Sequence, residues 1–244
     1  GLRDGVETDT KDYMGPEDTG TDPLDPDSDA DGFVDGQEVA RGSNPTQSGS
    51  VPDLEDPVQI VNLDATALEA GPLTEWPNQG ALGGLFRAGG PPAEVESVQG
   101  AKGVTLDGVS HFYRGPESPL YLTGDAPRTI DAWIFNPEVA AEENIFSWGR
   151  RGGGDGTNMS FNHGTHADWG AVGHWGPPDM GWNDQVVENQ WTYVAYTYDA
   201  DTATGTVYTD GAMANEEVVG PLDTWAVGNT AEALPLPLLV GGQS

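Results

Sequence analysis

The stretch Thr206-Val207-Tyr208-Thr209-Asp210-Gly211-Ala212-Met213-Ala214 carries the clearest local structural signal in the chain. An Asp-Gly pair between two short β-prone runs favours a type I′ hairpin turn, because both central residues must take positive φ and glycine does so without steric cost. Working outward, β-branched and aromatic runs recur at 104–106, 111–113, 129–135, 145–148, 159–161, 169–174, 191–198 and 238–240. Gly, Pro, Asn and Asp separate them, the pattern of antiparallel strands joined by tight turns. A further candidate strand, 58–64, places Val58, Ile60 and Asn62 on one face and Val61 and Leu63 on the other, so it is expected to be covered on both sides. Helices are expected only as short pieces, at 37–41 and 138–142. The expected fold is all-β, an antiparallel sandwich.

Composition narrows the function. The 244 residues hold 9 Lys+Arg against 40 Asp+Glu, a formal charge of −31. Nucleic acid is excluded as a natural partner, since phosphate backbones are held by basic surface. No run approaches the roughly 18 apolar residues that cross a bilayer, so membrane insertion is not expected. The absence of cysteine removes disulfides and thiolate-bound zinc. Gly 35 and Pro 19 together reinforce the reading of many turns and few helices.

Residues 1–57 form a different kind of polypeptide. They carry 16 acidic side chains against Arg3, Lys11 and Arg41, and their only aromatics are Tyr13 and Phe33. Such a segment lacks the apolar surface needed to offset about 1–2 kcal/mol of chain entropy per residue, so something other than a core must order it. A bound ion is the simplest agent. Asp27-Ser-Asp29-Ala-Asp31-Gly32-Phe33-Val-Asp35-Gly-Gln-Glu38 matches the spacing D-x-[DN]-x-[DN]-G-x₅-E at every required position. Ca²⁺ takes 6–8 hard oxygens. Asp27, Asp29 and Asp31 supply carboxylates, the Phe33 carbonyl a backbone oxygen, Asp35 a direct or water-mediated ligand, and Glu38 two closing oxygens. Gly20, Pro23 and Pro26 make a helix entering this loop very unfavourable, so the loop is strung on extended chain rather than built as a helix–loop–helix hand.

The loop has a partial copy upstream. Gly1, Asp4, Gly5 and Glu7 precede Gly32, Asp35, Gly36 and Glu38 by 31 residues, and Gly20-Thr-Asp22-Pro23 echoes Gly42-Ser-Asn44-Pro45. On these residues the segment resembles the bacterial thrombospondin type 3-like calcium repeats, with a natural chain expected to extend upstream of Gly1. Neighbouring acids share ions in that family, so the resemblance implies a second site joining Asp18, Asp22 and Asp25 to Asp4 and Glu7. The expected division is repeats over 1–50, a linker over 51–57, and a β-domain over 58–244.

That β-domain resembles the concanavalin A-like lectin/glucanase superfamily in its laminin-G-like jelly-roll branch. Val104-Thr-Leu-Asp107-Gly108, Thr129-Ile-Asp-Ala-Trp133-Ile134, Gln190-Trp191 through Tyr198-Asp199, Val207-Tyr-Thr-Asp210-Gly211 and Leu239-Val-Gly241-Gly242 carry the likeness. It implies two packed antiparallel sheets, often with glycan binding. Catalysis is not expected. The chain has no E-x-D-x-E or E-x-D-x-x-E strand to set two carboxylates across a sugar bond, and Glu142-Glu143 and Glu216-Glu217 are adjacent pairs that point to opposite faces of a strand. No G-x-S-x-G or H-E-x-x-H occurs either. Asp107 is expected to shape a turn rather than to hold an ion, and Asn158-Met-Ser160 fits a glycosylation sequon.

Between 148 and 182 the chain mixes glycine loops, aromatic rings, amides and charges. One reading is a sugar-binding face of Arg150, Asp155, Asn158, His163, His174, Trp175, Asp179 and Trp182. The other buries Trp148, Trp169 and Trp175 in the core and pairs the polar groups locally. Two functions are therefore expected as alternatives. One is a calcium-binding module, secreted or at the cell surface, that presents a lectin-like sandwich to extracellular polysaccharide or glycoprotein for adhesion. The other is a structural subunit of a surface layer or extracellular filament. Residues beyond Leu-Val-Gly-Gly number only two here, so one or more closing strands are expected to be missing. The edge so exposed would let the protein pair with itself by strand exchange.

Overall fold

The computed structural model describes residues 2, 5–31, 33–52, 58–152, 156–176, 178–225 and 236–243. The chain forms two compact units. The first comprises residues 1–62, 78–83 and 119–121; the second comprises 63–77, 84–118 and 122–244.

In the first unit the α-helix among the described residues is α1, Asp35–Arg41, which ends at Gly42 in the left-handed region (φ 78°) with the Gly42 amide donating to Val39 O. The remainder is turns and extended chain, as the prolines demand. Its buried side chains among the described residues are mostly polar, Thr19, Thr21, Asp35, Glu38, Ser43 and Asn78, with Pro45 and Pro52 the apolar ones. The expected strand at 58–64 is extended but pairs with a turn instead of a strand. Ala81, Leu82 and Gln79 amides donate to the carbonyls of Gln59, Ile60 and Asn62, and the Asn78 side chain bridges the Asn62 amide and Ile60 O. A Cβ at Gly80 would lie 2.5 Å from Ile60 O, so only glycine permits this approach.

The second unit holds fourteen strands among the described residues: β1 Gly71–Leu73, β2 Glu75–Pro77, β3 Leu85–Ala88, β4 Ala93–Val98, β5 Ala101–Thr105, β6 Tyr113–Glu117 and β7 Arg128–Phe135. They continue as β8 Asn144–Gly149, β9 Asn158–Asn162, β10 Val172–Gly173, β11 Trp191–Asp199, β12 Thr204–Thr209, β13 Ala212–Val218 and β14 Pro237–Val240. All pairings are antiparallel. They build a seven-stranded sheet (β10-β9-β8-β14-β6-β3-β2), a four-stranded sheet (β13-β12-β11-β7) and a three-stranded sheet (β1-β4-β5). The Asp210-Gly211 turn has φ of 49° and 80°, the type I′ geometry expected. A second turn of the same kind, Gln99-Gly100 (48° and 88°), joins β4 to β5 and was not anticipated, because Gln-Gly is a weaker signal than Asp-Gly.

Apolar side chains fill the space between the sheets. Phe86, Tyr113, Trp148, Met159, Phe161, Val172, Val194, Tyr196, Val207 and Leu238 are at most 1% exposed. Burial of each large side chain is worth about 1.5–3 kcal/mol. No helix forms at 138–142, because local amides find side-chain acceptors instead: Val139 N donates to Glu188 Oε1 and Ala140 N to Glu143 Oε1. The last strand, β14, is paired on both sides, with β6 and β8. Among the described residues, β2, β10, β7 and β13 border the two larger sheets.

One cation sits inside this core. Arg128 is 7% exposed and donates to Ala126 O (2.8 Å), Gly124 O (2.9 Å) and Thr224 Oγ1 (3.0 Å), with its guanidinium over the rings of Trp148 and Tyr198 at 5.5 and 5.4 Å. Burial lowers its pKa to about 10, still well above neutrality. Arg128→Ala removes the side-chain donor to Ala126 O and leaves a void between two rings, so it is expected to lower unfolding stability by about 3 kcal/mol or more. Urea midpoints measured at constant m check this; a loss below about 1 kcal/mol would contradict the role.

Candidate metal centre and ligand face

The acidic loop winds on its own side chains. The Asp31 amide donates to both Asp27 Oδ1 and Asp29 Oδ1 (3.2 Å each), the Phe33 amide donates to Asp31 Oδ1 (3.0 Å), and Ala30 takes φ 59°. These turns bring one carboxylate oxygen from each of Asp27, Asp29 and Asp31 within 4.8 Å of one another. Helix α1 then carries Glu38, fully buried, behind the loop. Glu38 Oε1 accepts from Ser43 Oγ at 3.2 Å. Asp29 Oδ2, Asp31 Oδ2 and Glu38 Oε2 are all buried without a hydrogen-bond partner. Burial, then the neighbouring Asp29, Asp31 and Asp35, pushes the Glu38 carboxyl up to about 7. Burial and the Asp31 charge likewise raise Asp29.

Buried carboxylate oxygens without donors are costly unless a cation compensates them. A hard dication fits this donor set, and Ca²⁺ tolerates its mix of mono- and bidentate oxygens. Asp27, Asp29, Asp31 and Glu38 are the residues that would hold it. Its contribution would be structural: it cancels the mutual repulsion that otherwise opens the loop. Asp35, expected to ligate directly or through water, is held at the loop entry. Its two oxygens accept from Ser28 N and Ser28 Oγ (2.8 Å each), so it braces the loop entry against the start of the helix.

Of the expected second site, the described acids make local contacts. Asp18 accepts from Thr8 Oγ1, Asp22 from the Leu24 amide and Asp25 from the Asp27 amide, each closing a local turn. Glu7 joins no acidic cluster among the described residues, and Asp4 lies outside them. The echo between the two Gly-x-x-Pro phrases is nonetheless real in three dimensions: Asp22 N donates to Ser28 Oγ and Asn44 N to Ser50 Oγ, the same six-residue loop closure twice.

The expected sugar-binding face is divided. His174 is fully buried; Asn158 O accepts from its Nδ1 at 3.0 Å, which leaves Nε2 to accept from the Tyr196 hydroxyl at 3.2 Å. Asn158 is 2% exposed and donates to Gly173 O, which also removes it as a surface glycan acceptor. His163 is buried with its ring edge against Trp182, and Trp182 is 2% exposed with Nε1 donating to Asn162 O and Gly170 O. Asp179 is half-buried and accepts from the His174 amide. These five belong to the interior or its lining, where most of their polar atoms pair locally while Asn158 Oδ1 and His163 Nδ1 are buried without a hydrogen-bond partner. Trp148 is core as that reading expects, while Trp169 and Trp175 are 37% and 44% exposed. Arg150 and Arg151 lie over Trp225 and Trp175, and Arg151 also meets Glu142 at 3.5 Å. Asp155 lies outside the described residues. Asp107 shapes a turn, accepting from the Ser110 hydroxyl and from the His111, Ser110 and Val109 amides, which hold its carboxyl well below the usual range.

A third surface had not been singled out. Strand alternation turns Asp131, Trp133 and Phe135 away from the core, and Trp133 is 64% exposed beside Tyr193. The signal was present in Thr129-Ile-Asp-Ala-Trp-Ile-Phe135, whose Ile residues alternate with polar and aromatic ones.

Comparison with known proteins agrees with this architecture. Residues 27–48 match the bacterial TSP3 repeat family. No curated protein is significantly similar to the chain. The crystal structure of LamAcat from Zobellia galactanivorans aligns at 10% identity with a TM-score of 0.21, over 77% of this chain and 80% of that one, a likeness too low to carry an argument. Residues 107–234, just over half of the sequence and most of the sandwich, match the Laminin_G_3 family model, and the chain belongs to the concanavalin A-like lectin/glucanases superfamily.

Proposed function

We propose that this chain is an extracellular module in which a calcium-ordered repeat presents a β-sandwich that binds glycans without cleaving them. The observation that carries the calcium half is the trio of buried, unpartnered oxygens on Asp29, Asp31 and Glu38. The lectin/glucanase membership of the sandwich supports the glycan half. The missing E-x-D-x-E spacing supports binding without hydrolysis. Extracellular placement follows from the ion: weaker sites of this type, about 10⁻⁴–10⁻³ M, fill only where calcium is plentiful. No helix among the described residues is long and apolar enough to cross a membrane.

The test is a polysaccharide panel in millimolar calcium, read both for binding and for release of reducing ends. The expected result is binding to at least one polysaccharide with no new reducing ends. A blank panel overturns the glycan reading, and release of reducing ends overturns the non-catalytic one.

A further inference from the structure

We infer that the glycan-binding surface is the outer face of the four-stranded sheet, a platform of Trp133, Tyr193 and Tyr208 with Asp131, and that its ligand is an uncharged polysaccharide. This rests on the glycan reading above and names its site.

The register places these side chains together. Trp133 pairs with Tyr193, and one residue pair further along Asp131, Ala195, Tyr208 and Met213 form a row across β7, β11, β12 and β13. Along β11 the residues facing the core are Thr192, Val194, Tyr196 and Tyr198, all at most 2% exposed, so Tyr193 and Ala195 face outward. Ala195 points out yet is only 8% exposed. Its methyl is the floor of a shallow trough walled by the larger side chains around it. Trp133 and Tyr193 meet at 5.5 Å with planes tilted by 50°, forming one wall, and Trp133 keeps 64% of its surface in water. Nothing in the interior requires an exposed tryptophan there.

The polar groups beside the rings suit sugar hydroxyls. Asp131 stands diagonal to Tyr193 in the β7–β11 register, and Thr129 and Thr197 share the same outward face. Carboxylate and hydroxyl acceptors set beside an aromatic plane match a pyranose, whose C–H face lies on the ring while its edge hydroxyls donate. The charge of the face selects among sugars. Outward positions on the four strands include Asp131 and Glu216, and none of the outward positions named by the register is Lys or Arg. With −31 on the whole chain, sulfated or uronic polysaccharides are repelled. Alternation of rings with carboxylate and threonine hydroxyls, rather than a continuous aliphatic patch, favours a glycan over a protein surface.

The experiment uses the full chain in calcium, with affinity electrophoresis and tryptophan fluorescence against glucomannan, xylan, mixed-linkage glucan and dextran, and alginate as the anionic contrast. Wild type is expected to bind at least one uncharged polysaccharide and to change its emission on binding. Trp133→Ala and Tyr193→Ala are each expected to weaken binding about tenfold or more. Trp133→Phe keeps part of the affinity, and Trp175→Ala stays within about twofold of wild type. Matching thermal melts establish that the variants are folded, as expected for an exposed position. Binding that survives both platform substitutions overturns this site while leaving the glycan reading intact. Binding to alginate alone overturns the ligand class. No binding to any of the five overturns the glycan reading itself, and the platform with it.

Discussion

Replacing Asp29 and Glu38 together by alanine is expected to abolish the calcium response of the N-terminal unit and to lower its calcium affinity by at least about a hundredfold. The two substitutions remove two of the three buried unpartnered oxygens and the acid that helix α1 places behind the loop. In wild type, titration by calorimetry is expected to give a saturable heat accompanied by ordering in circular dichroism. A chelator is expected to reverse it and to open residues 17–50 to protease. The size of the effect follows from what else holds the unit together. Its buried apolar side chains among the described residues are Pro45 and Pro52, too small a core to maintain the fold once the acids repel one another. The second unit has its own core and is expected to keep its thermal transition in chelator. An unchanged titration in the double variant would contradict the ligand assignment, and a wild type without any calcium heat would contradict the centre altogether.

Acid is expected to destabilise the sandwich between pH 6.5 and 4 through two buried histidines. Burial lowers both His174 and His163 from the usual 6.5 to about 4, and for His174 the buried Arg128 adds to the effect. The unfolded chain therefore binds protons that the folded one refuses. Their contribution is complete above about pH 6.5 and is lost progressively as pH falls through 6.5 towards 4. Each shift corresponds to about 3 kcal/mol. Both groups are at most 4% exposed, so solvent screening takes little from this figure. Asp179, raised by its own burial, titrates in the opposite sense and offsets a part. Urea midpoints of the second unit at pH 7 and pH 4.5 measure the loss. In His163→Gln/His174→Gln, stability at pH 7 is expected to be lower, but its slope with pH much flatter. An equal slope in wild type and variant would show that other groups carry the acid sensitivity.

The strongly patterned strands were legible from residues alone. Asp210-Gly211 takes the φ pair that its chemistry favours, and the run from Trp191 to Asp199 is a strand whose alternate members are core. The short strands β1 to β4 were not legible. Segments such as Gly71-Pro-Leu73 and Glu75-Trp-Pro77 carry Gly, Pro and Glu, and they become strands only because long-range partners claim their backbone groups. The same cause explains 58–64, whose apolar run reads as a strand but whose carbonyls are taken by the turn around Asn78.

The calcium loop and the ligand face differ in the same way. Ligands spaced along twelve consecutive residues form a local object, and their cluster follows from spacing and one helical turn. Residue type and order thus determined the acidic, cysteine-free, turn-rich character of the chain, the calcium-ligand spacing of its acidic loop and its all-β class. Tertiary structure decided which polar and aromatic residues are surface. His174 and Trp182 read as ligand-binding groups until the sheets close over them. The physical reason is that exposure is set by which strands come to lie on either side of a residue. Those neighbours are distant in sequence, so no local pattern encodes them.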